Sequence, residues 1–181
     1  MHNAVVVTQR SSASPAAPAG ADAGTAAVLP LDRQLCFALY SASLAMTRLY
    51  KPLLAELGLT YPQYLVMLAL WQRDAPAVSD LGGELRLDSG TLTPLLKRLE
   101  AAGLLARRRD PADERRVRLH LTPAGQALKH RAAALPGEVA RAAACPADEL
   151  TALTARVQAL RDAVLASIAA SSDLSPDRAA A

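Results

Sequence analysis

The feature of this sequence that most restricts its fold is a change of hydrophobic period on either side of Gly103. Before it, Leu92, Leu95, Leu96 and Leu99 recur at i, i+3, i+4 and i+7, which puts four leucines on one side of a helix. After it, Val117, Leu119 and Leu121 alternate with Arg116, Arg118 and His120, the two-residue period of a strand with one apolar and one cationic face. Asp88 is a natural N-cap for the helix, and Gly103 supplies the residue that tolerates a left-handed backbone just past its end. Residues 104–109 are the strand's hairpin partner, and the polar, Pro111-containing stretch 110–115 is the exposed tip. Ser89, Thr91, Thr93, Lys97 and Arg98 fall mostly off the leucine face, so the helix presents a short, polar, basic side.

Upstream, Asp32 is expected to cap a helix over about residues 32–57, with Leu35, Leu39, Ala42, Met46 and Leu49 at helical spacing and Pro52 bending its last turns. Thr60 and Gln63 have capping-box spacing and open a second helix, about residues 61–72, that is apolar nearly all round and therefore central. Ser79 is expected to cap a short helix weakened by Gly82 and Gly83. Helix, short helix, helix and basic two-stranded wing is the winged helix-turn-helix order, so the fold class is mainly α with a small β-wing. Thr122 as cap and Pro123 at the first helical position start another helix, which Pro136-Gly137 must kink or split. A last helix begins near Cys145-Pro146. Its Leu150, Leu153, Val157, Leu160 and Val164 form a narrow heptad seam that suits a partner helix, so the terminal helices are expected to form a homodimer interface. Residues 30–170 make one DNA-binding and dimerisation domain, between tails at 1–29, rich in Ala, Ser, Pro and Gly, and 171–181.

The net charge is only +3, yet between Lys97 and Arg118 eight basic side chains (Lys97, Arg98, Arg107, Arg108, Arg109, Arg115, Arg116, Arg118) face four acidic ones. Concentrated positive charge points to a polyanion, and double-stranded DNA is the partner that fits a basic wing beside a polar-faced helix. The competing reading is that such a run is merely a solvated face. No apolar run approaches a membrane span and no secretory signal is visible, which predicts a cytoplasmic protein without a membrane partner. Two cysteines, Cys36 and Cys145, make a permanent structural disulfide a poor expectation in a reducing compartment. His2, His120 and His130 lack metal-ligand spacing, and no phosphate loop, Ser-His-Asp set or carboxylate pair stands out, so no cofactor, metal or enzymatic activity is expected.

The string Leu87-Asp88-Ser89-Gly90-Thr91-Leu92-Thr93-Pro94-Leu95-Leu96-Lys97-Arg98-Leu99-Glu100, with Asp113-Glu114-Arg115-Arg116-Val117, closely resembles MarR-family transcriptional regulators over residues 31–165. Within that family, Leu31-Asp32-Arg33-Gln34-Leu35-Cys36-Phe37-Ala38-Leu39-Tyr40 resembles the start of the organic hydroperoxide repressors of the OhrR type. The resemblance implies that the helix matching residues 89–100 enters the major groove of a palindromic operator. It also implies that Arg115 enters the minor groove, oriented by Asp113; Arg108 and Arg116, of the same basic wing, are further DNA-binding candidates. Arginine suits both tasks, since it binds guanine edges bidentately and is drawn to a narrow, negative minor groove.

By the same resemblance, Cys36 is the cysteine oxidised by an organic hydroperoxide inducer, Tyr50 and Tyr61 donate hydrogen bonds to its thiolate, and Cys145 is the resolving cysteine of the two-cysteine branch. Tyr40, one turn beyond Cys36, is a third candidate donor. A thiolate near a helix N-terminus is favoured by the dipole and by phenolic donors, and Cys145 at a helix start would gain similarly. Against these readings stands the ordinary one, in which a cysteine on an apolar helix is an inert small hydrophobe. Two other functions stay open: a MarR-type repressor released by a small aromatic ligand without cysteine chemistry, and a thiol peroxidase using Cys36 and Cys145, which leaves the basic wing without purpose.

Overall fold

The computed structural model describes residues 28–173. The expected tails therefore lie outside the described residues, apart from Val28, Leu29 and residues 171–173. The chain divides at Ala38 into two units. In the first, Leu31–Arg33 form a 3-10 turn closed by Arg33 N–H on the carbonyl of Pro30 at 3.0 Å. Asp32 is thus inside a tight turn and does not cap a helix. Helix α1, Leu35–Ala55, starts three residues later, with the Ala38 N–H on the Gln34 carbonyl at 3.0 Å.

The second unit holds the core. Helix α2, Tyr61–Gln72, opens as its cap spacing predicts: Gln63 Oε1 accepts the Thr60 N–H at 2.8 Å. Its Tyr64, Val66, Met67, Ala69 and Leu70 are buried, so the all-round apolar helix lies within the core. Helix α3, Val78–Leu85, is capped by Ala77, and Ser79 lies inside it. The reason is tertiary. Ala77 is bridged to Arg118 and Pro76 O accepts the Leu119 N–H at 3.0 Å, so the chain must stay extended through residue 77.

Helix α4, Ser89–Ala101, runs through Pro94 and ends before Gly103, whose φ of +69° is the left-handed exit that the glycine allows. Its four leucines are buried against the core. Strands β1, Leu105–Arg109, and β2, Val117–Leu121, pair antiparallel with Arg108 opposite Arg118 and Leu105 opposite Leu121. Leu119 is fully buried, and Val117 and Leu121 are half-buried, as the alternation requires.

Helix α5, Pro123–Ala132, is capped by Thr122 Oγ1 accepting the Gly125 N–H at 3.0 Å. The Pro136-Gly137 region does split the helix, but just upstream: α6 is Leu135–Ala142. Helix α7, Ala147–Asp173, is longer than its seam suggested and reaches into the segment read as a tail. Leu153, Val157, Leu160 and Val164 are exposed along it, from 36% to 54%.

Candidate nucleic-acid interface

Helix α4 is anchored at its start by a single carboxylate. Asp88 Oδ1 accepts the Thr91 N–H at 2.9 Å and Oδ2 accepts the Thr91 hydroxyl at 2.8 Å. Those two bonds, the hydroxyl's first, hold the Asp88 carboxyl below the usual aspartate range. With the leucines turned inward, Ser89, Thr91, Lys97 and Arg98 are left exposed, as the period requires. Thr93 is half-buried and faces a cleft of about 330 Å³ whose other walls include Ser79, Arg115 and Arg116. The cleft joins the helix to the wing.

The wing's cations divide into two groups. Arg107 pairs with Glu100 at 2.6 Å and its N–H donates to the same carboxylate at 3.1 Å, tying β1 to α4 and lowering the Glu100 pKa. Arg116 pairs with Asp80 of α3 at 3.1 Å, and Arg118 with Asp110 at 2.6 Å. Lys97, Arg98, Arg108, Arg109 and Arg115 carry no ion pair among the described residues. Among the described residues five cations are therefore left without an ion pair, while three brace the scaffold that holds them. Arg116, expected to contact DNA, belongs to the second group in this state. Asp113 accepts the backbone N–H of Arg115 at 3.0 Å, so it shapes the turn under Arg115, and no bond to the Arg115 guanidinium accompanies this.

Asp80, Glu100, Arg107, Asp110 and Arg118 were not singled out from the sequence as site residues. Their partners sit on other elements, 36 residues away for Arg116 and Asp80, and only the charge run hinted at them.

The two cysteines are free, Cys36 exposed and Cys145 half-buried. Cys36 is the second residue of α1, closer to the helix end than a cap at Asp32 implied. Cys145 departs from expectation. Helix α7 starts at Ala147, so Cys145 precedes the cap position, and burial together with the carboxylates of Glu149 and Asp148 pushes its thiol up. As placed, it is not readied as a thiolate.

Tyr50 and Tyr61 pack with tilted rings 5.0 Å between centres, and Tyr50 also meets Tyr64 at 6.0 Å. Burial and the neighbouring phenols raise the Tyr50 pKa, which keeps its hydroxyl a proton donor. Tyr40 is 61% exposed and joins no ring pair among the described residues. Tyr64 and Trp71 are packing residues; the Trp71 indole N–H donates to the Gly125 carbonyl at 2.9 Å. Among the described residues no group of three His, Cys, Asp or Glu could hold a metal ion, and no helix is long and apolar enough to cross a membrane.

Comparison with known proteins gives a consistent result. Residues 48–132 match the family described as transcriptional regulator SarA/Rot. The chain is 50% identical over 111 residues to the organic hydroperoxide resistance transcriptional regulator of Bacillus subtilis, covering 61% of this chain and 76% of that one. It is also 50% identical over 132 residues to the HTH-type transcriptional regulator TtmR of Methylorubrum extorquens, covering 73% and 68%. Among solved structures, reduced AbfR bound to DNA superposes with a TM-score of 0.61 at 33% identity, over 75% of this chain and 94% of that one. AbfR is also known in a disulfide form.

Proposed function

Because this chain belongs to the MarR-type winged-helix transcriptional regulators, in which it is kin to the organic hydroperoxide resistance regulator, we propose that it is a dimeric repressor that organic hydroperoxides release from its operator. DNA binding is the shared activity of the family. The observation that carries its use here is the set of five unpaired cations beside a capped, polar-faced α4. Two copies joined through α7 would place two α4 helices in successive major grooves about 34 Å apart. The exposed apolar seam of α7 supports that pairing.

In the redox step, the Cys36 thiolate attacks the terminal oxygen of the hydroperoxide, forming a sulfenic acid as the O–O bond breaks, and the alkoxide takes a proton from solvent and leaves as the alcohol. The Cys145 thiol then attacks that sulfur, forming the S–S bond as the S–O bond breaks, and its proton leaves with the displaced hydroxide as water. A disulfide requires Cα atoms within about 7 Å, so closing it would fix the start of α1 against the segment just before α7 and thereby set the spacing of the α4 pair. The identity to the hydroperoxide regulator and the reduced and disulfide forms of AbfR support this reading.

A second reading draws on the apolar cleft of about 450 Å³ between α1 and α7, lined by Met46, Tyr50, Tyr61, Leu150 and Leu153, which suits a small aromatic ligand. One experiment separates the two. In gel shifts with reduced protein and its promoter DNA, cumene hydroperoxide should release wild type and leave Cys36→Ser bound. Binding that survives the peroxide, or release by phenolic compounds alone, sinks the redox reading.

A further inference from the structure

Both polar groups of Thr91 are committed to one carboxylate. Its N–H and its hydroxyl donate to the two oxygens of Asp88 at 2.9 and 2.8 Å, yet the residue is exposed on the side of α4 that the core leaves free. Both donors of Thr91 are thus spent, and besides the acceptor lone pairs of its hydroxyl the residue has its methyl group to offer a base. One turn on, at i+3, the exposed ring of Pro94 continues the same strip, and Arg98 ends it at i+7. A methyl, a proline ring and a guanidinium in line are two apolar contacts followed by one charged one.

On the floor of the major groove the only apolar group is the thymine C5-methyl, and a threonine methyl is a suitable contact for it. We propose that Thr91, backed by Pro94, is a specificity-determining residue that selects a thymine at a fixed position of each operator half-site through methyl–methyl contact, with its hydroxyl anchored on the Asp88 cap. This rests on the DNA-binding reading above and adds a base preference to it. It also explains why the position is threonine. Serine would donate to Asp88 equally well but bring no methyl, and valine would bring the methyl but lose the hydroxyl bond.

Those two substitutions form the test. Full-length dimer would first be used to select binding duplexes from a random-sequence library. The selected duplex would then be remade with deoxyuridine replacing each thymidine in turn, which removes only the C5-methyl. Wild type should lose about fourfold in affinity at one position per half-site, and about fifteenfold when both half-sites are changed, the effect of one buried methyl each time. Thr91→Ser should bind the thymidine and deoxyuridine duplexes equally at that position, and Thr91→Val should keep the wild-type ratio whatever its absolute affinity. The proposal is overturned if wild type is indifferent to every methyl. It is also overturned if Thr91→Ser retains the preference while Thr91→Val loses it, since the hydroxyl would then be the reading group. A library that yields no enriched duplex would overturn the DNA-binding reading itself.

Discussion

Arg118 Nε donates to Asp110 Oδ2 at 2.6 Å, and the same guanidinium reaches past it to donate to the Ala75 carbonyl at 3.0 Å. Asp110 is the only buried charged residue among those described, at 5% exposure, and it also accepts the Ala112 N–H at 2.9 Å. One arginine therefore joins the wing tip to the turn before α3. Removing it leaves a buried carboxylate short of its charged partner. Arg118→Ala should lower the melting temperature by roughly 4–8 °C and speed amide exchange across residues 105–121. Arg118→Lys should recover only part of this, because an ammonium cannot fork between the two acceptors as a guanidinium does. Unchanged exchange in Arg118→Ala would remove the clamp's role.

The same carboxylate gives the stability a defined response to acid. The Asp110 pKa is lowered, by the Ala112 N–H first and by Arg118 next, and Glu100 and Asp88 are lowered by Arg107 and Thr91. A carboxyl whose folded pKa lies below its unfolded value stabilises the fold fully above the unfolded value and loses that contribution as pH falls through the folded one. Urea unfolding should therefore show level stability down to the ordinary carboxylate range, about pH 4, and a decline below it. Asp110→Asn should make that acid decline shallower. An acid limb identical to wild type would contradict the assignment.

Gly125 gives a steric prediction. A Cβ there would fall on the Leu104 carbonyl oxygen, which already accepts the Thr122 N–H at 3.2 Å, and would come within 3.1 Å of the Leu121 side chain. Neither the strand end nor the helix start can move without losing that bond. Gly125→Ala should cost about 3 kcal/mol in urea unfolding, at the upper end for overpacking. A loss below about 0.5 kcal/mol would show that the contact relaxes freely.

These relationships show which parts of the molecule could be read from the sequence. The caps at Thr60, Asp88 and Thr122 were legible because donor and acceptor lie three residues apart, inside the window that local pattern covers. The period change at Gly103 was legible for the same reason, and it sufficed for the winged-helix order. Ser79 was misread as a cap because the true limit on α3 is a bridge from Ala77 to Arg118, forty-one residues away. The charge run showed that cations gather, but not that Arg107, Arg116 and Arg118 are spent on Glu100, Asp80 and Asp110. Cys145 was expected to be activated by a helix end, but α7 starts two residues later, and burial first, then Glu149 and Asp148, push its thiol up.

The division of the cations predicts unequal arginines. Arg115 is exposed, bears no ion pair among the described residues and sits at the wing tip, whereas Arg116 already has Asp80. Arg115→Ala should cost about tenfold or more in affinity for promoter DNA and reduce the slope of log K against log salt by about one per lost phosphate contact. Arg116→Ala should cost less and leave that slope nearly unchanged. Filter binding between 50 and 300 mM salt would read both. Equal slopes for the two variants would show that Arg116 leaves Asp80 when DNA arrives.

On α7, folding and assembly can be separated. Leu153 and Val157 are 54% and 39% exposed in the single chain, so charges at both positions should cost the protomer's own fold little. If the seam is the dimer contact, Leu153→Asp with Val157→Asp places four carboxylates in the desolvated centre of a two-fold interface, where like charges cannot be satisfied. The double variant should sediment as a monomer while keeping the wild-type far-ultraviolet circular dichroism. Its affinity for promoter DNA should fall at least a hundredfold, because each α4 and wing would then bind its half-site without the effective concentration that a joined partner supplies. A double variant that still sediments as a dimer would move the interface off this face of α7, and with it the link by which a cysteine at the start of α7 could reach the spacing of the DNA-reading helices.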